Sequence, residues 1–177
     1  MKIKIILETE RLILRELTHN DYNDLEFILQ DKDVMYAYEH AFSDDEVLEW
    51  LNRQIDNYNI YGFGLWAVIL KYNNKLIGQF ELTLQNINET TKVIDIGYLF
   101  NKSYWKNGYA IEYAKSCKDY AFNVLNKYKV YSIIRENNIL SQKVAIRNCM
   151  EKIGEIVKFY CDMNMIHYIY CATKLNK

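Results

Sequence analysis

The sequence predicts an α/β fold of the α+β kind, a mixed and mostly antiparallel twisted sheet flanked by helices. Short segments rich in β-branched and aromatic residues are bounded by turn residues, which is the pattern of strands. Longer segments carry apolar residues three and four positions apart, as in amphipathic helices. One such helix separates a strand ending near Phe100 from one starting near Lys129, which predicts a right-handed crossover between parallel neighbours. The predicted order is β-α-α-β-β-β-α-β-α-β-β, and 177 residues fit a single domain over residues 1–177.

The first elements follow from alternation and helix-start residues. Arg11 to Arg15 alternates and predicts a strand, after which Thr18 and Asp21 open a helix. Ser43 and Glu46 form a capping-box pattern that predicts a second helix running to about Tyr58. A β-meander of three strands should follow, over Leu65 to Leu70, Leu76 to Leu84 and Val93 to Phe100.

The later elements complete the order. Gly108 opens a long helix, and a second helix is expected to be capped by Ser141. The remaining strands are predicted at Lys129 to Ile134, Ile156 to Tyr160 and His167 to Ala172.

Composition excludes several classes of function. The net charge of -1 and the pI near 6.3 do not suit a nucleic-acid-binding protein. The N-terminal apolar run from Ile5 to Leu7 is too short for a signal peptide, and no apolar stretch approaches the ~20 residues of a membrane helix. Four cysteines without C-x-x-C spacing indicate reduced thiols, and His19, His40 and His167 lack metal-ligand spacing. We therefore expect a cytoplasmic protein with no metal, membrane or nucleic-acid partner.

The segment from Asn101 to Glu112 carries the main functional signal. A strand ends, a short polar loop follows, and a helix begins at Gly108. The first N–H groups of a helix lack internal partners and carry the positive end of its dipole, which suits a pyrophosphate. Lys102 and Lys106 add positive charge. Taken alone, a glycine at a helix start and a basic loop are also ordinary features of surface turns.

The residues resemble a known family. Tyr104 to Ala110, followed by Glu112 and Tyr120-Ala121-Phe122, resembles the coenzyme A motif of the GNAT acetyltransferase superfamily, in the branch of the ribosomal-protein N-terminal (alanine/serine) acetyltransferases. Other blocks resemble that branch in the same order, and they cover nearly the whole chain: Thr9 to Arg15, Gly64 to Val68, Leu76 to Gln79, Asp95 to Tyr98 and Asn138 to Ala145.

The resemblance implies a site for acetyl-coenzyme A as acetyl donor. Trp105 stands where the superfamily loop has Gln or Arg, and the main chain of Leu99 and Phe100 would pair with the pantetheine arm, which would splay the fourth and fifth strands apart. Asn138 and Lys143 would contact the coenzyme. The pyrophosphate would be bound by the loop residues Lys106, Asn107, Gly108, Tyr109 and Ala110.

Acetyl transfer to an amine needs a route for the amine proton, a donor for the oxyanion and an acid for the leaving thiolate. The resemblance implies Ser141 as that acid, with Asn138 and Asp95 as further catalytic residues and the backbone N–H near Leu99 as oxyanion donor. Ala145 stands where many members have a tyrosine acid. Ser141 as a helix cap only, and Asp95 as a solvated strand carboxylate, remain alternatives. Glu81 is a further candidate at the acceptor end.

Two positions depart from the branch. Cys149 replaces an expected glycine and costs about 1 kcal/mol if the backbone there needs a positive φ. Leu140 replaces a frequent proline.

The acceptor is expected to be a protein N-terminal α-amine or a small-molecule amine, and the protein a monomer or homodimer. The acidic residues Glu39, Asp44, Asp45 and Glu46 either attract a cationic acceptor or serve a helix N-terminus. The alternative function is a non-catalytic coenzyme A-binding sensor or regulatory protein of the same fold.

Overall fold

The structure is a computed structural model that describes residues 4–38, 40–62, 64–160 and 162–175. Four α-helices lie in these ranges: α1 (Tyr22–Leu29), α2 (Asp44–Tyr61), α3 (Tyr109–Asn123) and α4 (Ile139–Arg147). The strands are β1 (Ile5–Glu8), β2 (Leu12–Glu16), β3 (Leu65–Leu70), β4 (Lys75–Asn86), β5 (Lys92–Phe100), β6 (Lys129–Arg135), β7 (Glu151–Tyr160) and β8 (Met163–Thr173). They form an 8-stranded sheet in the order β1-β2-β3-β4-β5-β6-β8-β7.

The predicted succession of elements is confirmed from β2 onward, and β1 is an additional strand. β1 pairs antiparallel with β2, with Ile5 opposite Arg15 and Glu8 opposite Ile13. Its 4 residues are too few to show a period, so the apolar run Ile5 to Leu7 did not indicate a strand. β7 also begins earlier than expected, at Glu151.

The chain divides into two compact units, which are described separately. The first comprises the described residues up to Glu81 together with Tyr98–Tyr109, and the second comprises Leu82–Gly97 together with the described residues from Ala110 onward.

In the first unit, α1 and α2 bury their apolar residues against one face of the β2-β3-β4 region in a single hydrophobic cluster. The predicted capping box of α2 is present: Glu46 N–H donates to Ser43 Oγ at 3.4 Å, and Ser43 N–H donates to Glu46 Oε2 at 2.8 Å. The helix ends at Gly62, whose φ of 72° is left-handed. Such a conformation favours glycine, which explains why the helix stops there.

In the second unit, α3 buries Tyr113, Ala114, Cys117, Ala121 and Phe122. Asn148 at the end of α4 donates through Nδ2 to the carbonyl of Ala114 at 3.0 Å, and Lys118 Nζ donates to the carbonyl of Asn148 at 2.6 Å. These bonds join the C-terminal end of α4 to the middle of α3.

The connection through α3 joins parallel strands, as predicted. β5 and β6 pair in parallel at Asp95 and Tyr131, whereas β6, β8 and β7 are antiparallel neighbours. Within the ranges described, none of the helices combines the length and the apolar character needed to cross a lipid bilayer.

Candidate functional site

The loop that follows β5 begins with a fixed turn. Asn101 N–H donates to the carbonyl of Ile77 at 2.9 Å, so the loop starts hydrogen-bonded to β4. The Asn101 side chain accepts from Ser103 N–H at 3.0 Å and caps a 3-10 turn over Lys102–Tyr104. The chain therefore leaves the strand in a defined direction.

Trp105 anchors the next part of this loop. Its indole Nε1–H donates to the carbonyl of Phe100 at 2.8 Å, and its ring packs against the hydrophobic cluster of the first unit. The side chain at the position where the superfamily has Gln or Arg thus faces the protein.

The segment from Lys106 to Gly108 has an unusual backbone. Lys106 and Gly108 both lie in the left-handed region, with φ of 63° and 79°. Between them, Asn107 Nδ2 donates to the carbonyls of Tyr104 and Trp105 at 3.2 and 3.1 Å. All three residues are exposed, and α3 starts at the next one. Turns of this kind direct N–H groups outward and form concavities that bind anions.

The space around Gly108 fits a phosphate-binding loop. A Cβ built on Gly108 would meet only one atom within 4 Å, Arg11 Nη2 at 3.5 Å. The backbone there is therefore open to a ligand on the side where a side chain would project. The residues present fit the pyrophosphate of coenzyme A.

Arg11 is a neighbour of this loop that the sequence did not indicate. Its Nη1 donates to the carbonyl of Asn107 at 3.0 Å, and its guanidinium carbon lies 4.5 Å from the centroid of the Tyr109 ring. A shallow pocket adjoins these groups, lined by Glu10, Arg11, Leu70, Lys71, Tyr72 and Tyr109. Arg11 and Asn107 are 96 positions apart, and no local sequence pattern reports such a contact.

Lys102 and Lys106, which were expected to add positive charge to the loop together, have different surroundings. Lys102 forms an ion pair with Asp33, and the hydrogen bond and charge of that carboxylate raise the pKa of Lys102. Its charge is therefore compensated by a neighbour. Lys106 is exposed and remains a candidate for contact with an anion.

Leu99 and Phe100 end β5 next to Gly78 of β4. Both are buried, and a Cβ on Gly78 would come within 2.6 Å of the Leu99 carbonyl oxygen and 2.7 Å of Phe100 Cδ1. Glycine is thus required at position 78 for this close approach. Phe80, Tyr98 and Phe100 continue as an aromatic row, with ring centroids 6.2 and 6.0 Å apart.

In the second unit, Asn138 and not Ser141 caps α4. The Asn138 side chain accepts from the N–H of Ser141 at 3.1 Å, and the helix begins at Ile139. The prediction that Ser141 caps the helix is wrong, because Asn is an equally good cap and lies three residues earlier. Ser141 occupies the first turn, half-buried, and its hydroxyl makes no hydrogen bond to any residue that the structure describes.

Asp95 is buried, with 6% of its surface exposed. Its Oδ1 accepts from the N–H of Ile133 at 2.8 Å, and Ser132 Oγ donates to the carbonyl of Ile96 at 2.9 Å. The alternative of a solvated strand carboxylate is therefore wrong. Asp95 joins β5 to β6 just beyond their parallel pair.

The candidate residues are divided between the two units. Leu99, Phe100 and Trp105 to Tyr109 lie in the first, and Asp95, Ala110, Asn138, Ser141 and Lys143 lie in the second. Ala110 is half-buried in the first turn of α3, and Lys143 is exposed on α4. Glu81 is half-buried on β4, opposite Leu65.

The acidic residues at positions 44 to 46 lie in the first turn of α2, where they complement the helix dipole. Asp44 accepts from Gln30 Nε2 at 2.7 Å, and Glu46 contacts His40 at 2.7 Å. The hydrogen bond from the Ser43 N–H and the contact with His40 lower the pKa of Glu46. The residues at positions 44 to 46 thus serve the helix N-terminus, whereas Glu39 lies outside the described residues.

Cys149 has a φ of 58°, so the expected glycine position does require a left-handed backbone.

Burial raises the pKa of the Cys117 thiol, which makes that thiol unreactive. Cys161 lies outside the described residues. No group of three or more potential metal ligands occurs in the described part of the chain.

Comparison with known proteins identifies the family. The family model described as "Acetyltransferase (GNAT) domain" matches residues 11–151. The chain belongs to the GNAT acetyltransferase family. It is 34% identical to the uncharacterized protein YkkB of Bacillus subtilis (strain 168), over 100% of this chain and 94% of that protein. It is 30% identical to the uncharacterized N-acetyltransferase YnaD of the same organism, over 84% of this chain and 81% of the relative.

Solved structures show the same fold. A GNAT-family acetyltransferase from Bacillus anthracis superposes with a TM-score of 0.81 at 24% identity, covering 96% of this chain and 98% of that one. RimL, a ribosomal-protein α-N-acetyltransferase in complex with coenzyme A, superposes with a TM-score of 0.79 at 17% identity, covering 96% of this chain and 98% of that one. Spermidine N-acetyltransferase from Vibrio cholerae, in complex with coenzyme A and spermine, superposes with a TM-score of 0.71 at 20% identity, covering 92% of this chain and 95% of that one. This GNAT chain is an acetyl-CoA-dependent acetyltransferase with the predicted GNAT fold.

Proposed function

We propose that this GNAT enzyme transfers the acetyl group of acetyl-CoA to an amine, either a protein N-terminal α-amine or a small-molecule amine, in the cytoplasm and within one domain over residues 1–177. The observation that carries the proposal is the loop from Trp105 to Ala110. Two left-handed residues, an open face at Gly108 and the start of α3 together suit a pyrophosphate.

The proposed binding roles follow from the loop. The N–H groups of Lys106 to Ala110 would bind the pyrophosphate, and Lys106 would add a charge-assisted contact. The main chain of Leu99 and Phe100 would bind the pantetheine arm. Asn138 and Lys143 are proposed as further contacts on α4, although Asn138 also caps that helix.

Ser141 is proposed as the acid that protonates the leaving thiolate. Its N–H is taken by Asn138, and its hydroxyl makes no hydrogen bond to a residue that the structure describes, so its O–H is available to donate. Asn138 would orient Ser141 by holding the first turn of α4. Because Ala145 is buried and has no ionisable group, it provides no alternative acid.

An α-amine is the easier acceptor on physical grounds. Its pKa near ~8 leaves a reactive neutral fraction at neutral pH, whereas a lysine amine near ~10.4 needs a stronger base. The structural neighbours include an enzyme that acts on protein N-termini and one named for spermidine. The first supports an α-amine, and the second supports a small amine as the competing acceptor.

The test has two stages. Titration calorimetry of the wild-type protein with acetyl-CoA should give micromolar binding, with NAD as a comparison that should not bind. Gly108→Val should abolish binding while the protein stays folded, because a branched side chain would occupy the ligand face. Its melting temperature should fall, since valine resists a φ of 79°, and circular dichroism checks that the fold is kept. Unchanged binding by this variant would contradict the loop assignment.

The second stage identifies the acceptor. Acetylation of a peptide with a free N-terminal serine or alanine is compared with the same peptide blocked at its N-terminus but carrying a lysine, and with spermidine. Faster turnover of the free N-terminus is expected. Turnover of spermidine alone would replace the α-amine by a small polyamine.

A further inference from the structure

We propose that Arg11 is a positioning residue that holds the loop from Asn107 to Tyr109 in the shape needed to bind the pyrophosphate of acetyl-CoA. This inference rests on the proposed function, since it concerns the same loop. Arg11 lies at the start of β2, far from the loop in sequence, and acts through three successive residues of it.

The first contact fixes the carbonyl of Asn107. Arg11 Nη1–H donates to that oxygen at 3.0 Å. The peptide joining Asn107 to Gly108 is planar, so fixing its carbonyl also fixes the direction of the Gly108 N–H. That N–H is one of those proposed to bind phosphate. Arg11 thereby orients a donor through the backbone of the loop.

The second contact fixes the first residue of α3. The guanidinium carbon of Arg11 lies 4.5 Å from the Tyr109 ring centroid, within the range of a cation–π interaction. Both side chains are half-buried, so water weakens this attraction less than at a fully exposed site. Tyr109 is thus held where the helix begins.

Gly108 lies between these contacts and has no side chain to hold it. Arg11 Nη2 lies 3.5 Å from the place where a Gly108 Cβ would be, so the guanidinium borders the open face of Gly108 without filling it. Glycine has the greatest conformational freedom of any residue, and a glycine in a ligand loop loses that freedom on binding. Contacts on both sides of it restrict the loop before the ligand arrives, which is how preorganisation raises affinity.

An arginine is better suited to this task than a lysine. The planar guanidinium donates in its own plane to a carbonyl while its face stacks on an aromatic ring. An ammonium group makes the same hydrogen bond or the same cation–π contact, but it cannot extend flat across three residues. Arg11→Lys is therefore expected to restore only part of the function lost in Arg11→Ala.

The experiment compares two acetyl donors that differ in the part the loop binds. Kinetics are measured with acetyl-CoA and with S-acetylpantetheine, which has the same thioester arm but no pyrophosphate. Arg11→Ala should raise KM for acetyl-CoA about tenfold with kcat little changed, from the loss of one hydrogen bond and one cation–π contact. Its kcat/KM for S-acetylpantetheine should equal that of the wild type. Calorimetric Kd values for coenzyme A should change by the same factor, which gives a readout independent of activity.

Controls separate positioning from general stability. Arg53 stacks on Trp50 at 4.9 Å within α2 of the same unit, and Arg53→Ala should change neither KM nor Kd. Tyr109→Leu should weaken binding, and the double variant with Arg11→Ala should lose less than the product of the two single effects, because both act on one loop.

The outcomes are distinct. Equal loss of kcat/KM with both donors in Arg11→Ala would indicate a structural role and overturn the inference, as would unchanged Kd for coenzyme A. Either result leaves the proposed function standing, provided that the wild type binds acetyl-CoA. If the wild type bound none, the proposed function would fail and the inference with it.

Discussion

The carboxylate of Asp95 accepts a hydrogen bond from the backbone N–H of Ile133 at 2.8 Å, two residues beyond Tyr131, its parallel partner on β6. In the other direction, the Ser132 hydroxyl donates to the carbonyl of Ile96 at 2.9 Å. Side chains thus supply hydrogen bonds where the two strands diverge. Asp95 was expected to act on water or the amine, and that catalytic role stays a prediction beside the observed structural one.

Variants at Asp95 separate these two roles. Asp95→Ala removes the acceptor and should lower the free energy of unfolding by about 1–3 kcal/mol, because the Ile133 N–H loses its partner. Asp95→Asn keeps an oxygen acceptor and should cost less. Urea unfolding measures both. If Asp95→Asn keeps its stability but loses most of its kcat, the carboxylate has a chemical role in addition.

Ser141→Ala should lower kcat by about tenfold or more while leaving the Kd for acetyl-CoA within twofold. The hydroxyl is not part of the helix cap, so its removal should not alter the melting temperature. Asn138→Ala is the matched comparison, since it removes the cap and should destabilise the protein by about 1 kcal/mol. An unchanged kcat in Ser141→Ala would remove Ser141 from the mechanism.

Cys149→Gly should stabilise the protein by about 0.5–1 kcal/mol. Cys149 is exposed and held at a φ of 58°, where a side chain is strained and glycine is not. Cys149→Ala keeps the strain and serves as the control, with little expected change. Thermal and urea unfolding compare the three proteins, and equal stability of the Gly and Ala variants would contradict the backbone argument.

Stability should fall at mildly acidic pH because of His167. Burial lowers the pKa of His167 below its usual 6.5, with Lys158 and Arg135 acting in the same direction and the Met165 carbonyl and Glu136 opposing them. Below pH 6.5 the unfolded chain therefore binds a proton before the folded protein does, and the free energy of unfolding decreases as pH falls. His167→Gln should show a smaller decrease between pH 7.5 and 5.5. Identical pH profiles for wild type and His167→Gln would exclude this contribution.

The fold was predictable from sequence because its longer elements have clear periods and caps. The α2 capping box at Ser43 and Glu46 and the strand Leu65–Leu70 are found where they were expected. The sequence marked position 149 as one where a glycine is expected, and the structure shows that its backbone is left-handed. Short β1 was missed because its 4 residues carry no period.

The site was only partly predictable, because some of its features depend on tertiary contacts. Asn138 and Ser141 are both good caps, and only the helix start decides between them. The burial of Asp95 depends on β6, because its carboxylate accepts a hydrogen bond from Ile133, which lies 38 positions later in the chain. Arg11 contacts the loop across 96 residues, and nothing adjacent to it in sequence indicates this.

Trp105 gives the protein an optical reporter. Its indole is bonded to the Phe100 carbonyl and lies at the base of the loop proposed to receive the pyrophosphate, whereas Trp66 is fully buried. The emission of an indole depends on the polarity of its surroundings and on the hydrogen bond it donates. Ligand binding at the loop should therefore change the fluorescence of Trp105, so that coenzyme binding is observable in the unlabelled protein.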